Sequence, residues 1–413
     1  MPGRGIKVNV TFSKMIGARL LDLSRSLRRV GRTPTGVDRV ERAYLSGLMR
    51  GDVPLFGLFR TPLGYILLDQ EGLEQFQARL LGAVPWGDAD RLSKFVGRRD
   101  LIVQRAESDV RRFSVARALP MRLSQVLTSQ LCSPFQYYNV GHSNLTKRVF
   151  NAIASASGQT HVMVHDVIPL SHPQFQRSAA VAQFERKLQL TSRFADRVIY
   201  NSSETRDQAK RFFSDFGRIP PGIVAPLGID VDVAPDADLP PELKFDEPYF
   251  LTVGTIEPRK NHAFLLDLWD MMGSEAPKLL ICGSRGWKNE GVFDRLDQLT
   301  VHDRVTEVSG LDDAKLLALM KNAQALLFPS LVEGYGLPVV ESLAVGSRVL
   351  CNDLSVLREV SRSSAQLVAV SDSQRWINII QRWKMLPPSA PDAVNFKCPT
   401  WQDHLNIVLN QGR

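Results

Sequence analysis

No stretch of this 413-residue chain approaches the roughly 18 uninterrupted apolar residues that a membrane-spanning helix needs. Met1 to Lys14 alternates apolar and polar residues and has no apolar signal-peptide core, the pattern expected of a cytoplasmic protein. Cysteine is scarce: Cys132, Cys282, Cys351 and Cys398 stand far apart with no C-x-x-C pair. This argues against a disulfide framework and predicts reduced thiols, with Cys282 and Cys351 inside apolar runs that read as buried strands. The glycine spacings of a Walker A loop and of a dinucleotide fingerprint are missing. So are helix-turn-helix, zinc-finger and RNA-recognition patterns, and nucleic acid is therefore not an expected partner.

What is present is the composition of a globular protein, 44% hydrophobic and 23% charged. The length exceeds one ordinary core and predicts two domains. The net charge of +8 is concentrated early: Met1–Arg50 holds eleven Lys or Arg against Asp22, Asp38 and Glu41. A second basic group follows at Arg98, Arg99, Arg105, Arg111, Arg112, Arg117 and Arg122. A basic N-terminal half suits an anionic partner, such as a membrane surface or a phosphorylated lipid, and equally suits a solvated face.

After Phe245 short apolar runs alternate with helical spacings. Strands are predicted at 248–254, 278–283, 304–309, 323–328 and 348–351. Helices are predicted at 261–272, 292–299, 312–322 and 338–345. This is the pattern of βαβ units, which form a parallel sheet covered on both faces. In the first half, strands are predicted at 101–103, 136–140, 161–164 and 197–200, and helices at 37–50 and 184–194. Residues 51–96 match no clear pattern. The proline- and acid-rich stretch 226–241 reads as a linker, giving domains at 1–235 and 236–395 and a final amphipathic helix within 396–413. In open parallel sheets, ligands bind beyond the carboxyl ends of the strands. The loops after Gly254, Gly283, Phe328, Val140, Val164 and Tyr200 are therefore the places to search.

Two loops carry the chemistry. In Gly254-Thr-Ile-Glu-Pro-Arg-Lys-Asn261, Arg259 and Lys260 stand at a helix entry, where cations and free amides can hold a diphosphate. In Pro329-Ser-Leu-Val-Glu-Gly-Tyr-Gly-Leu-Pro-Val-Val-Glu341, Glu333 precedes a helix whose first turn bears Glu341. The amides at Gly336 and Leu337 would face an anion, and Glu341 could accept two hydrogen bonds from a ribose diol. His165 and His142 end two further predicted strands. D-x-D occurs at Asp88/Asp90, Asp230/Asp232 and Asp236/Asp238, too often to mark a metal site.

The Glu333-to-Glu341 segment resembles the Glu-x₇-Glu signature of retaining GT-B glycosyltransferases, and its E-G-Y-G-L-P wording resembles glycosyltransferase family 4. Three further segments are similar to that family: Ala195 to Thr205, Pro226-Leu-Gly-Ile-Asp230, and Thr35-Gly36-Val37-Asp38-Arg39-Val40. The resemblance implies a GT-B fold, two Rossmann-like α/β domains with parallel sheets facing across a cleft. It implies donor binding by Gly36, Gly254, Arg259, Lys260, Tyr335, Gly336, Leu337 and Glu341. Glu333 would contact the transferred sugar, His165 would hydrogen-bond it, and a donor phosphate oxygen would assist the acceptor. No metal or other cofactor is implied. The expected reaction is retaining transfer of a hexose from a nucleotide-diphosphate sugar, GDP-mannose favoured, to a glycan or lipid-linked acceptor in polysaccharide biosynthesis. The protein would act in the cytoplasm or peripherally on the inner membrane face. A GT-B epimerase or hydrolase, and a non-catalytic nucleotide-binding module, remain the alternatives.

Overall fold

The computed structural model describes residues 16–96, 100–229, 239–299, 304–388 and 396–410. The chain divides into two compact units. The first comprises residues up to Val30, Tyr44–His161 and the chain from Leu405 onward; the second comprises Gly31–Ala43 and Val162–His404.

An eight-stranded sheet contains β1 (Ala18–Asp22), β2 (Leu55–Thr61), β3 (Gly64–Leu68), β4 (Ala116–Ala118), β5 (Phe135–Asn139), β6 (Gly158–Val164), β7 (Arg197–Tyr200) and β8 (Gly222–Val224). Its order is β4-β3-β2-β1-β5-β6-β7-β8, and the boundary between the units falls within β6. β1 pairs in parallel with both β2 and β5, whereas β2, β3 and β4 form an antiparallel edge. β2 and β3 lie in the stretch 51–96 that shows no pattern in sequence. Their hairpin turns at Pro62-Leu63 and carries no Asn-Gly or Asp-Gly signal.

The second sheet is built from β9 (Tyr249–Val253), β10 (Lys278–Cys282), β11 (Val305–Val308), β12 (Ala325–Phe328), β13 (Val349–Cys351) and β14 (Gln366–Leu367). The order is β11-β10-β9-β12-β13-β14, and every neighbouring pair is parallel. Both faces are covered, as the continuous apolar runs require. Phe250, Leu279, Ile281 and Leu327 pack with Leu265, Trp269, Trp376 and Ile380 on one side. The alternate residues Leu251, Leu280, Leu326 and Val349 pack with Leu317, Met320, Leu343 and Leu357 on the other. Cys282 and Cys351 are buried in this sheet, where burial pushes both thiols up to about 12.

One predicted strand is a helix. Leu101-Ile-Val103 opens the helix Leu101–Arg112, whose buried residues include Val103, Ala106 and Val110, at spacings of three and four. The run of three apolar residues resembled a strand, yet Leu101 is 60% exposed. The second basic group is also partly internal. Arg111 is buried and pairs with Asp90 at 2.7 Å, Arg112 pairs with Asp109 at 2.5 Å, and Arg105 pairs with Asp88 at 3.4 Å. The Asp88/Asp90 motif thus holds arginines in this structure. Arg98, Arg99, Asp230, Asp232, Asp236 and Asp238 lie outside the described residues.

Candidate functional site

The order of the second sheet reverses at β9. β10 and β11 lie on one side, and β12 begins the other. At such a switch point the loops leaving two neighbouring strands diverge and leave room for a ligand. Here they are the Gly254–Asn261 and Pro329–Gly336 loops, the two segments singled out from the sequence.

The loops are joined by charge. Lys260 Nζ donates to Glu333 Oε1 at 2.5 Å, and Arg259 Nη1 lies 3.0 Å from the same oxygen. Arg259 Nε donates to Glu257 Oε1 at 2.6 Å, and the Leu331 amide donates to Arg259 O at 2.8 Å. The Lys260 ammonium also stands 4.5 Å over the Phe328 ring. Gly254 adjoins this lysine: a Cβ there would lie 3.1 Å from Lys260 Cε.

Burial alone would raise the Glu333 carboxyl, but Arg259 and Lys260 outweigh it and hold the group at about 2. Burial lowers Lys260 against the pull of Glu333. For Arg259 the burial effect is overcome by Glu333 and Glu257, which push the guanidinium up. Glu257 itself is raised, because burial exceeds the pull of Arg259 and Lys260. The result is a carboxylate that stays ionised and two cations that already have partners. Lysine offers three N–H donors and arginine five, so these contacts do not exhaust either group.

Glu341, 2% exposed, lies in the helix Leu337–Ala344 and forms an ion pair with Arg39 Nη2. Arg39 Nε is also 3.7 Å from Asp313. Burial raises the Glu341 carboxyl and Arg39 pulls it back. Gly36 lies beside the same helix, its position for a Cβ 3.1 Å from Leu337 Cδ1. Gly336 caps the helix at φ +97°, in the left-handed region, and a Cβ there would meet Leu357 at 2.7 Å. Tyr335 sits apart from this group in kind. It is buried, and its hydroxyl donates to Leu227 O at 3.0 Å.

His165 follows β6 and is 7% exposed. Its backbone lies against the Glu333 loop: a Cβ on Gly334 would come 2.4 Å from His165 O. The segment after β7 fastens the two together. Asn201 Nδ2 donates to His165 O at 2.8 Å, while Ser202 Oγ and Thr205 Oγ1 donate to Gly334 O at 3.1 and 3.0 Å. Asp166 next to His165 is raised by burial, against the pull of Arg259.

The structure thus gathers Gly254, Arg259, Lys260 and Glu333 around one contact, with the His165 backbone against the same loop. Gly36, Gly336, Leu337 and Glu341 gather around a second, and Tyr335 is packed into the protein. Three participants were not chosen from the sequence. Glu257 was visible inside its motif, but a carboxylate there gave no sign of binding Arg259. Arg39 stands out in the sequence only as part of a glycine loop, and Asn201 carries no signal beyond its motif.

In fold the chain is GT-B, the architecture of two Rossmann-like α/β domains. A crystal structure of the Anabaena protein Alr3699/HepE in complex with UDP-glucose superposes with a TM-score of 0.61 at 14% identity, covering 95% of this chain and 98% of that one. Residues 237–395 match the family described as glycosyl transferases group 1, and this segment contains both loops. Among curated proteins, the serotype-specific mannosyltransferase WbdA of Escherichia coli is 24% identical over 265 residues, 60% of this chain and 32% of WbdA. The O-antigen chain mannosyltransferase B of Escherichia coli is 27% identical over 203 residues, 48% of this chain and 53% of that protein. The match therefore spans about a third to a half of these relatives' length. The family match and the names of these relatives support a glycosyltransferase.

Proposed function

We propose that the protein is a retaining glycosyltransferase that moves a hexose, with mannose from GDP-mannose favoured, to a glycan or lipid-linked acceptor. The observation that carries the reading is the buried contact of Lys260 and Arg259 with Glu333 at the sheet's switch point. A diphosphate arriving there meets two cations whose remaining N–H groups can take phosphate oxygens. The negative charge that develops on the departing nucleotide is then stabilised in place, the main catalytic term for such a transfer. Glu333, ionised throughout the physiological range, is free to turn from the cations toward sugar hydroxyls once phosphate replaces it. Glu341 grips the ribose in place of Arg39.

The names of the relatives support mannose, and the nucleotide-sugar complex of the Anabaena protein supports this donor class. A basic N-terminal half suits work at an anionic membrane surface, and no described helix is long and apolar enough to cross one. The test is incubation with GDP-mannose, dTDP-rhamnose and UDP-glucose, each with a glycan acceptor, followed by NMR of the product's anomeric centre. Transfer with the donor's configuration kept is expected. Donor breakdown without any acceptor product would favour a hydrolase or epimerase instead.

A further inference from the structure

The first sheet has a switch point of its own. β2 lies on one side of β1 and β5 on the other, both parallel to it. The segments leaving β1 and β5 hold a second polar cluster, within the first unit, that the donor reading does not use.

At its base lies Asp22, 1% exposed and saturated. Its Oδ1 accepts from the Ser24 amide at 3.0 Å, and its Oδ2 accepts from Tyr137 Oη at 2.8 Å and Asn144 Nδ2 at 3.0 Å. The loop after β5 is bent sharply to reach it. His142 and Asn144 both adopt left-handed backbone, at φ 52° and 59°. For non-glycine residues this costs on the order of 1 kcal/mol each and tends to occur at functional sites. Asn139 Nδ2 holds the bend by donating to Ser143 O at 2.6 Å.

Around this base stand three guanidinium groups. Arg28 Nη2 donates to Ser143 Oγ at 2.6 Å, and its Nε donates to Ser24 O at 3.1 Å. Arg60 donates to Gly64 O at 3.0 Å and stacks over the Tyr65 ring at 5.0 Å. The Tyr65 hydroxyl donates to Asn144 Oδ1 at 3.4 Å. Burial and Asp22 raise this hydroxyl while Arg60 and Arg148 pull it down, so Arg148 also lies within electrostatic reach of that ring. Elsewhere in the unit arginines meet carboxylates, as Arg111 meets Asp90 and Arg79 meets Asp109. Among the described residues Arg28, Arg60 and Arg148 have no such pair. Arg28 and Arg60 are held in place by neutral oxygens, which leaves their charge unspent and their ordering cost already met.

We propose that this cluster is a binding site for a phosphate group carried by the acceptor, either a soluble sugar phosphate or a phosphate-linked lipid. Asp22 does not face that ligand. It fixes Tyr137 and Asn144, and through them the loop that positions Arg28. The proposal rests on the glycosyltransferase reading for the word acceptor, and on the cluster alone for the phosphate.

The experiment is calorimetric titration of inorganic phosphate into the Lys260→Gln protein, in which the donor loop has lost a cation. Saturable binding is expected. It should weaken by about tenfold when Arg28→Gln and Arg60→Gln are added, since each removes a charge-assisted contact. Should that protein fail to fold by circular dichroism, the exposed Arg148→Gln substitution serves, with an expected weakening of roughly threefold. Absence of saturable binding, or affinity unchanged by the arginine substitutions, would overturn the site. Glucose 1-phosphate and vesicles containing phosphatidic acid separate the two sources: the one whose binding falls with the arginines identifies the acceptor's form, and loss with neither contradicts the proposal. GDP binding to the unsubstituted protein is measured in parallel. Phosphate binding at the arginines without GDP binding would retain this site and refute the donor site.

Discussion

The two switch points solve the same problem in opposite ways. At the second sheet, Arg259 and Lys260 share the carboxylate of Glu333, and Arg39 covers Glu341. At the first sheet, Arg28 and Arg60 are anchored by hydroxyl and carbonyl oxygens, and Asp22 is engaged by hydrogen-bond donors instead of by either of them. The difference teaches how a fold can hold charge. A neutralised cluster can be buried, because each ion has a partner, but a ligand must then exchange with that partner. Cations anchored only by neutral oxygens must stay near water, and they wait for an anion without any exchange.

The largest effect expected from breaking this contrast is on the neutralised side. Arg39→Ala strands the buried Glu341 carboxylate. Removing one member of a buried pair costs roughly 3–5 kcal/mol, here at the lower end because Arg39 is 27% exposed. Urea denaturation should show that loss, and adding Glu341→Gln should restore part of it. A loss unaffected by the second substitution would mean that the pair is not what Arg39 serves.

A comparable, pH-dependent effect is expected at Glu333. Its folded value of about 2 lies below the ordinary 4.5, so its stabilising contribution is complete above 4.5 and is lost as pH falls toward 2. Glu333→Gln should therefore cost roughly 3 kcal/mol at neutral pH, with the gap to the unsubstituted protein closing in acid. A gap independent of pH would remove the charge argument.

Legibility in the sequence followed burial. The second sheet was readable almost strand by strand, because parallel strands covered on both faces must be continuous apolar runs. Helix starts were readable where a side chain caps them, as Asp312 does by accepting from the Lys315 amide at 2.8 Å. The first unit was harder. β1 is the short run Ala18–Asp22 inside a basic region, and β2 to β4 form an edge that a βαβ pattern does not anticipate. Leu101-Ile-Val103 misled because three adjacent apolar residues outweighed a helical spacing that becomes visible only over ten residues. In the site, Arg259, Lys260, Glu333 and Glu341 stood out by residue type and loop position. Their partners Glu257 and Arg39 did not: Arg39 meets Glu341 from a segment distant in sequence, which leaves no local pattern, and a carboxylate two positions before Arg259 is too common a neighbour to mark a pair. The hydroxyl of Tyr335 was likewise unreadable: only the fold shows that Leu227 O takes it.

The most direct test of the account is calorimetric titration of GDP and UDP into the unsubstituted protein and into Lys260→Gln. A weakening of at least about tenfold for the nucleotide that binds is predicted, the loss of one charge-assisted phosphate contact in a buried setting. Equal affinity in both proteins would contradict the assignment of the Gly254–Asn261 loop to the diphosphate, and with it the central claim.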